Sequence, residues 1–208
     1  KVQLGKRMLA SNARIDGFKL RSNDLDTGSW SKIKKQMDRL CNLPIVIDTE
    51  SATVPEVRAR IRREKADIIL LDYLQLLRPA ERQESRERQI AEMSREFKNI
   101  ALEADMPVIV LSQLNRNAED RRPTLADIRE SGAVEQDSDC ILFLHKPSND
   151  EIGKAIEHRK LDKDFIDEVK RNGWDLLEFI IAKQRNGATG LFYLVYENKF
   201  LNFIGILE

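Results

Sequence analysis

Asp72 directly follows a run of four apolar residues, Ile68–Leu71, and is the first candidate for chemistry in this sequence. An apolar run that ends in aspartate is the Walker B pattern, in which a buried strand holds the carboxylate beside a Mg²⁺ ion and the phosphates of a nucleotide. Apolar strands that end in aspartate for purely structural reasons are also common. The pattern alone leaves both interpretations open.

Gln113 occupies the corresponding position after a second apolar run, Pro107–Ser112. A neutral amide at a strand end can sense the γ-phosphate of a nucleotide or orient the attacking water, the role that glutamine has in some GTPases. The alternative is an ordinary amide at the start of a loop. Without further context, the spacing favours that alternative.

Lys183 and Arg185 lie two residues apart, just before the Asn186-Gly187 turn. Because side chains two apart on a strand point to the same face, both cations are expected on one side. Two cations at a hairpin tip can clamp a γ-phosphate as an arginine finger does, including a phosphate bound by a neighbouring subunit. Spacing alone favours an ordinary solvated hairpin.

A glycine-rich phosphate cradle of the form GxxxxGK[ST] does not occur in the sequence. Gly5-Lys6 is followed by arginine, and Gly153-Lys154 is followed by alanine. Neither dipeptide can belong to a P-loop. The residues of this chain alone therefore do not indicate an intact nucleotide hydrolase.

The elements that would position these residues alternate between strands and helices. Apolar runs predict strands at Pro44–Asp48, Asp67–Asp72, Pro107–Ser112 and Cys140–His145. Helical spacing and capping residues predict helices at residues 2–20, at Ser29–Cys41, from Thr53 to about Lys65, from Ser85 to about Glu103, and briefly from Thr124. Strand-helix-strand order implies an α/β fold with a mostly parallel, twisted sheet, and strands this apolar imply that both faces are covered. Ligands of such sheets bind beyond the carboxyl ends of the strands, where the polar residues above lie together with Asp48 and His145.

The last third of the sequence changes character. Strands are predicted at Asp175–Lys183, Leu191–Tyr196 and Phe200–Ile204, joined by tight turns, so that an antiparallel meander closes the sheet. Before this meander lies a polar insert, Pro147–Gly173, whose apolar residues recur at roughly helical spacing. We expect one or two surface helices in the insert.

Composition limits the function classes. The chain has 208 residues, 41% hydrophobic and 34% charged, which fits one α/β-sized domain or two small ones. The 35 Lys and Arg residues balance 35 Asp and Glu residues, so any binding of nucleic acid must be local. No apolar run approaches the roughly 18 residues of a membrane span. Cys41 and Cys140 lie far apart, which argues against a disulfide scaffold or zinc site and indicates a cytoplasmic protein.

Five strings, taken together and in order, resemble the DnaB-type replicative DNA helicases, which are hexameric and have a RecA-like fold. They are RMLAS at Arg7–Ser11, IILLDYLQL at Ile68–Leu76, PVIVLSQLNR at Pro107–Arg116, RESGAVEQDSD at Arg129–Asp139 and IIAKQRNG at Ile180–Gly187. The resemblance implies that residues 1–208 are part of a RecA-like P-loop NTPase core. It implies a motor driven by ATP and Mg²⁺ that translocates on single-stranded DNA and unwinds duplex at a replication fork, with each ATP between two subunits.

For the nucleotide, the resemblance assigns roles to four residues. Asp72 is implied to be the Walker B acid and a Mg²⁺ ligand, and Gln113 the phosphate sensor. Lys183 and Arg185 are implied to reach the nucleotide of the neighbouring subunit. In the family, the P-loop and the glutamate that activates the attacking water precede the RMLAS-like segment. This chain by itself is therefore expected to be inactive.

For DNA, the resemblance points to the RESG string. Arg129, Glu130 and Gly132 match the loop that holds the DNA backbone in the central channel. The match is physically reasonable, because Arg129 can pair with a phosphate and Gly132 allows backbone N–H groups to approach one closely. Residues 79–88 occupy the place of a second channel-facing loop, and could equally be the solvated start of the following helix.

By the same resemblance, the expected partners are single-stranded DNA, identical subunits of a hexamer, a primase and a helicase loader, and no membrane. One competing hypothesis is a catalytically inactive RecA-fold module that binds DNA or serves as a structural ring subunit. Another is a related RecA-fold recombinase or clock-type ATPase. The RESG…EQDSD and KQRNG strings together disfavour the last. The inactive module is distinguished by whether the native reading frame continues upstream into a P-loop.

Overall fold

The computed structural model of the protein describes residues 1–79, 85–115, 118, 121–128, 132–158 and 160–205. The helices in this part of the chain are α1 (Val2–Ala13), α2 (Gly17–Ser22), α3 (Thr27–Cys41), α4 (Val54–Glu64), α5 (Arg86–Ala104), α6 (Gly132–Asp137), α7 (Asn149–Glu157) and α8 (Lys163–Arg171). The strands are β1 (Ile69–Leu71), β2 (Val108–Val110), β3 (Cys140–His145), β4 (Asp175–Gln184), β5 (Gly190–Glu197) and β6 (Asn202–Gly205). The chain divides into two compact units. Unit 1 comprises Lys1–Ile47, Leu144–Ile180 and Leu191–Glu208, and unit 2 comprises Asp48–Phe143 and Ile181–Gly190.

Unit 2 contains the parallel strand pair that the strand-helix-strand pattern predicts. β1 and β2 pair in parallel, with Leu71 beside Val110. The connecting helix α5 begins after Ser85, whose hydroxyl accepts the Arg88 backbone N–H at 3.2 Å. Four apolar residues of α5 recur at helical spacing and are buried against the strands: Ile90, Met93, Phe97 and Ile100. Each such side chain contributes about 1.5–3 kcal/mol on burial, so these residues fix α5 against the strand pair.

The outer face of this strand pair differs from the prediction. Leu70 is 70% exposed, and Ile109 and Leu111 are about half exposed. Because side chains alternate along a strand, one face of the pair packs on α5 and the other does not. The prediction that both faces are covered is therefore not met within the described part of the chain.

Pro44–Asp48 does not form a strand, and the prediction there is wrong. Ile45 donates its backbone N–H to the Leu43 carbonyl at 2.8 Å, and the side chains of Ile45 and Val46 are half exposed. A run of apolar residues becomes a strand only where a neighbouring strand accepts its hydrogen bonds.

The single helix predicted at residues 2–20 is divided into α1 and α2 in the structure, because Arg14 adopts a left-handed conformation between them.

Unit 1 places the insert on a sheet. The second sheet has the strand order β3-β4-β5-β6, and β5 pairs with β6 in antiparallel fashion, with Tyr196 beside Phe203. The insert forms two helices, α7 and α8. Helix α8 buries Ile166 and Val169 against Leu176 and Tyr193 of the sheet. The insert thus supplies part of the apolar core of unit 1, while its other face carries the charged residues seen in the sequence.

Candidate functional site

The carboxyl ends of β1 and β2 bring Asp72 and Gln113 to one edge. Leu71 and Val110 are register partners in a parallel pair, so the residues that follow them leave the sheet on the same side. Both Asp72 and Gln113 are exposed. Two polar side chains at adjacent strand ends are where a parallel sheet binds ligands.

Gln75 ties the two loops at this edge together. Its Nε2 donates to the Ser112 hydroxyl at 3.0 Å, and its Oε1 accepts the Gln113 backbone N–H at 3.4 Å. Its own carbonyl accepts a hydrogen bond from Arg86 Nη2 at 2.7 Å. The loop after β1 therefore fixes the backbone of Gln113. Sequence reasoning missed Gln75, although an amide three residues after Asp72 in the same loop is a usable signal.

Asp72 is the residue at this edge that could hold a divalent cation. The described residues contain no group of three or more His, Cys, Asp or Glu side chains that could form a complete metal site. Mg²⁺ in nucleotide sites needs only one or two carboxylates, because the phosphates and waters supply its other ligands. A single exposed carboxylate fits that kind of site.

Lys183, near the end of β4, and Arg185, in the turn just after it, both reach the C-terminal end of α6, which agrees with the prediction that the two cations lie on one side. Lys183 Nζ donates to the carbonyls of Glu135 and Ser138, the latter at 2.8 Å. Arg185 Nη2 donates to the Gln136 carbonyl at 3.1 Å. Cations at this position are favourable, because the last carbonyls of a helix lack partners and carry partial negative charge.

Asp139, which follows α6, pairs with Arg185 and with Lys98 of α5. Arg185 Nη1 contacts Asp139 Oδ1 at 2.8 Å, and its backbone N–H donates to the Asp139 carbonyl at 2.8 Å. Lys98 Nζ donates to the other carboxylate oxygen. The hydrogen bond from Lys98 lowers the pKa of Asp139, and the charges of Lys98, Arg185 and Lys183 lower it further. Sequence reasoning gave Asp139 no role.

The segment before the predicted DNA loop is anchored by Asp127, which is buried. Arg121 Nη2 and Nη1 contact its two oxygens at 2.5 and 2.8 Å, and the Thr124 backbone N–H and hydroxyl each donate to it at 2.8 Å. The hydrogen bond from Arg121, followed by those from Thr124, lowers the pKa of Asp127 to about 2. The residue is therefore a carboxylate at any physiological pH.

A bridge connects this anchored segment to the end of β2. Leu114 pairs with Ile128 in an isolated antiparallel bridge, and the Asn115 backbone N–H donates to the Asp127 carbonyl at 2.8 Å. The chain that follows Gln113 is thus hydrogen-bonded to the chain that precedes residue 129. Arg129 and Glu130 lie outside the described residues, as do residues 80–84 of the 79–88 segment. Gly132 is the first residue of α6, and an added Cβ there would meet no atom within 4 Å.

Two of the residues predicted to end strands, Asp48 and His145, have local roles instead. Asp48 accepts the backbone N–H of Glu50 at 2.8 Å and the hydroxyl of Ser51 at 2.5 Å, which makes a turn before α4. His145 is buried, and its Nε2 lies 3.1 Å from Glu151 Oε2. Burial alone would raise the pKa of Glu151, but hydrogen bonds from Ser148 and His145 outweigh it and lower the pKa to about 2. These contacts fix the start of α7.

Comparison with known proteins identifies the family to which this geometry belongs. The family model for the DnaB-like helicase C terminal domain matches residues 1–205. The chain belongs to this family. The predicted resemblance and the α/β fold class are therefore confirmed. Within the described residues, however, the predicted meander does not close the parallel sheet, because β4, β5 and β6 form a separate four-stranded sheet with β3.

Relatives of this DnaB-like domain are replicative helicases. The chain is 38% identical over 213 residues to the replicative DNA helicase DnaC of Bacillus subtilis (strain 168), covering 98% of this chain and 43% of that protein. It is also 38% identical over 217 residues to the replicative DNA helicase DnaB of Pasteurella multocida (strain Pm70), covering 99% of this chain and 43% of that protein. The chain thus spans less than half the length of these relatives.

Solved structures give the same result for the DnaB-like domain. One, described as "The Structure Of A DnaB-Like Replicative Helicase And Its Interactions With Primase", superposes with a TM-score of 0.78 at 33% identity and covers 97% of this chain and 48% of that one. A second, described as an ATPase domain, superposes with a TM-score of 0.78 at 32% identity, over 97% of this chain and 69% of that one. Within the described residues, no helix is long and apolar enough to cross a membrane.

Proposed function

We propose that the chain is part of an ATP-dependent replicative DNA helicase, a ring-shaped motor that translocates on single-stranded DNA. The observation that carries the proposal is the placement of Asp72 and Gln113 at adjacent ends of a parallel strand pair, where Gln75 of the loop after β1 bonds to Ser112 and to the Gln113 backbone. Asp72 would hold Mg²⁺ of a bound ATP, and Gln113 would contact its γ-phosphate. Mg²⁺ would neutralise charge that develops on the phosphates during hydrolysis.

The two cations at the end of β4, Lys183 and Arg185, act on a different nucleotide in this proposal. Within the described residues, Lys183 and Arg185 contact the end of α6 and neither Asp72 nor Gln113. Arg185 is half exposed, which suits a guanidinium that reaches a phosphate across a subunit boundary. A site completed in trans requires identical neighbours, which supports a homo-hexamer.

The DNA contact in this proposal is local and independent of sequence. The net charge of zero leaves no global field, so a few groups in a ring channel must supply the contact. Arg129 would pair with a phosphate, and Glu130 and Gly132 would complete the loop. The relatives are named as replicative helicases, so a primase, a helicase loader and a cytoplasmic location belong to the same proposal. No observation on the described residues favours an inactive ring subunit.

Replacement of Arg185, the proposed arginine finger that acts on the neighbouring subunit's nucleotide, tests the proposal. In the native full-length protein, Arg185→Ala should lower DNA-stimulated ATP hydrolysis by about 10³-fold, the order seen for arginine fingers, and leave nucleotide binding within about twofold. Arg171→Ala, an exposed arginine of α8, is the matched control and should keep wild-type turnover. Hydrolysis is measured by phosphate release and binding with a non-hydrolysable ATP analogue. Wild-type turnover in Arg185→Ala would overturn the assignment.

A further inference from the structure

The C-terminal end of α6 holds Lys183 of β4 and Arg185, which follows β4, in defined positions. Carbonyls of three residues, Glu135, Gln136 and Ser138, accept hydrogen bonds from Lys183 and Arg185. Long cationic side chains lose much rotamer freedom when they are held in one position. A cation that is already ordered before it meets a phosphate avoids that loss at the moment of binding.

Asp139 is the charged member of this arrangement. Its two carboxylate oxygens are divided between Arg185 and Lys98, and its carbonyl accepts the Arg185 backbone N–H. The carboxylate is 57% exposed and the Arg185 side chain 49% exposed. Exposed ion pairs of this kind contribute little to stability, so overall stabilisation is a poor explanation for the contact. What the contact does is orient the guanidinium.

The orientation leaves Arg185 able to bind a phosphate. A guanidinium has five N–H donors, and the contacts to Asp139 and Gln136 use one on each terminal nitrogen. The remaining donors keep the planar fork that matches phosphate oxygens. Lys98 holds the second oxygen of Asp139 and so limits the rotation of the carboxylate.

We infer that Asp139 is a positioning residue that holds Arg185 ready to act on the nucleotide of the neighbouring subunit. This inference rests on the proposed function. It adds a residue that touches neither nucleotide nor DNA but acts through Arg185. It also links the finger to α6, the helix that begins at Gly132 in the predicted DNA loop.

The first test is kinetic and uses the native full-length protein. Asp139→Asn should lower the kcat of DNA-stimulated ATP hydrolysis about tenfold, because a misplaced catalytic group costs rate, and should change the KM for ATP by less than about twofold. Asp139→Glu keeps the charge and should recover most of the rate. Asp175→Asn is the matched control, because Asp175 also accepts from a lysine and a second side chain, Lys146 and Asn198, and should keep wild-type turnover.

A mixing experiment separates positioning in trans from a structural role. Asp72→Asn subunits lose their own nucleotide chemistry but retain an intact finger. In rings mixed with Asp139→Asn subunits, an intact finger meets an intact nucleotide site, so turnover should exceed the sum of the two proteins measured separately. If Asp139 acted only through folding or through its own subunit's nucleotide, mixing would give no gain, which would overturn the inference.

Two further variants, Lys98→Met and Arg185→Ala, distinguish failure of this inference from failure of the proposed function. Lys98→Met leaves the Asp139 carboxylate in place without its second partner and should lower kcat about threefold, the scale of one hydrogen bond, even if the Asp139→Asn variant fails to assemble. Wild-type kcat in Lys98→Met and Asp139→Asn, with Arg185→Ala inactive, would overturn this inference and leave the proposed function standing. Wild-type kcat in Arg185→Ala would overturn both.

Discussion

Two aspartates flank α6 and are held in different ways. Asp127, before the helix, is buried, and Arg121 and Thr124 between them donate to both of its oxygens. Asp139, after the helix, is more than half exposed and shares its oxygens between two long cations. The partners of Asp127 come from its own segment, whereas those of Asp139 are Lys98 of α5 and Arg185, which follows β4.

Asp127 is therefore a fixed anchor, whereas Asp139 forms a weaker, exposed contact. Four hydrogen bonds to a buried carboxylate leave it a single geometry, so Asp127 fixes where the chain enters the predicted DNA loop. A half-exposed ion pair is weaker, and the one between Asp139 and Arg185 leaves other N–H donors of the guanidinium available to a phosphate. The two ends of α6 thus suit different tasks, with rigid support before the DNA contact and a cation that can be shared after it.

Among changes near the Asp127 end of α6, removal of the predicted DNA contact should weaken DNA binding most. Arg129→Ala should weaken binding of single-stranded DNA about tenfold at moderate salt, equally for all sequences, because one phosphate contact is lost. The slope of log affinity against log salt should fall by about 0.7 for a single strand. Fluorescence anisotropy with oligonucleotides of different sequence measures both.

The matched control for this variant is Arg63→Ala on α4, whose ion pair is with Glu64 in its own helix. It should leave the affinity and the salt slope unchanged. A loss confined to some DNA sequences in Arg129→Ala would contradict backbone contact and would remove the reason for a rigid anchor at this end of α6.

Loss of the anchor itself should have a smaller effect that depends on pH. Asp127→Asn keeps the shape but removes the charge, and should weaken DNA binding about threefold, the scale of one hydrogen bond. The folded protein lowers the pKa of Asp127 from 3.8 to about 2, so its ionised form stabilises the fold above about pH 4. That contribution is lost as the pH falls from about 4 to about 2.

Thermal unfolding of the two proteins checks this prediction. The Tm of Asp127→Asn should lie below that of the wild type at about pH 7, and the two should converge as the pH falls towards about 2. Asp162→Asn, which alters the cap of α8, serves as the control and should show a difference in Tm without a change in DNA binding. A Tm difference for Asp127→Asn that stays constant across this pH range would show that the charge of Asp127 is not what anchors the segment.

Local patterns in the sequence predicted most of the elements around α6 and the strand pair. The capping-box spacing at Thr53 predicted the start of α4, and helical spacing predicted that α5 begins at about Ser85. These features depend on residues close in sequence. Pro44–Asp48 failed because strand formation depends on a partner, which local hydrophobicity does not reveal.

The candidate site was predictable to a similar extent. Polar residues after apolar runs located Asp72 and Gln113, and spacing placed Lys183 and Arg185 on one side. Asp139 could not be found in this way, because its partners Lys98 and Arg185 come from elements distant in sequence on either side. The roles given to these residues by resemblance stay predictions until the variants are measured.

The smallest expected effect concerns Gln75, which has neither charge nor a partner in α6. Its amide joins the Ser112 hydroxyl and the Gln113 backbone, so Gln75→Ala should loosen Gln113 without removing any group that contacts phosphate. One or two exposed neutral hydrogen bonds correspond to a decrease of about two- to threefold in the kcat of ATP hydrolysis. Nucleotide and DNA affinities should not change.

The matched control for Gln75 is Gln89→Ala. Gln89 also contacts Arg86, at 3.0 Å, but lies on α5 and does not join the two strand ends. Steady-state hydrolysis with saturating DNA measures both variants. If Gln75→Ala lowered kcat as strongly as Asp139→Asn, the neutral link between β1 and β2 would matter as much as the charged contact of α6. The comparison of Asp127 with Asp139 would then have to include the nucleotide edge, where Gln75 forms uncharged side-chain hydrogen bonds to Ser112 and Gln113.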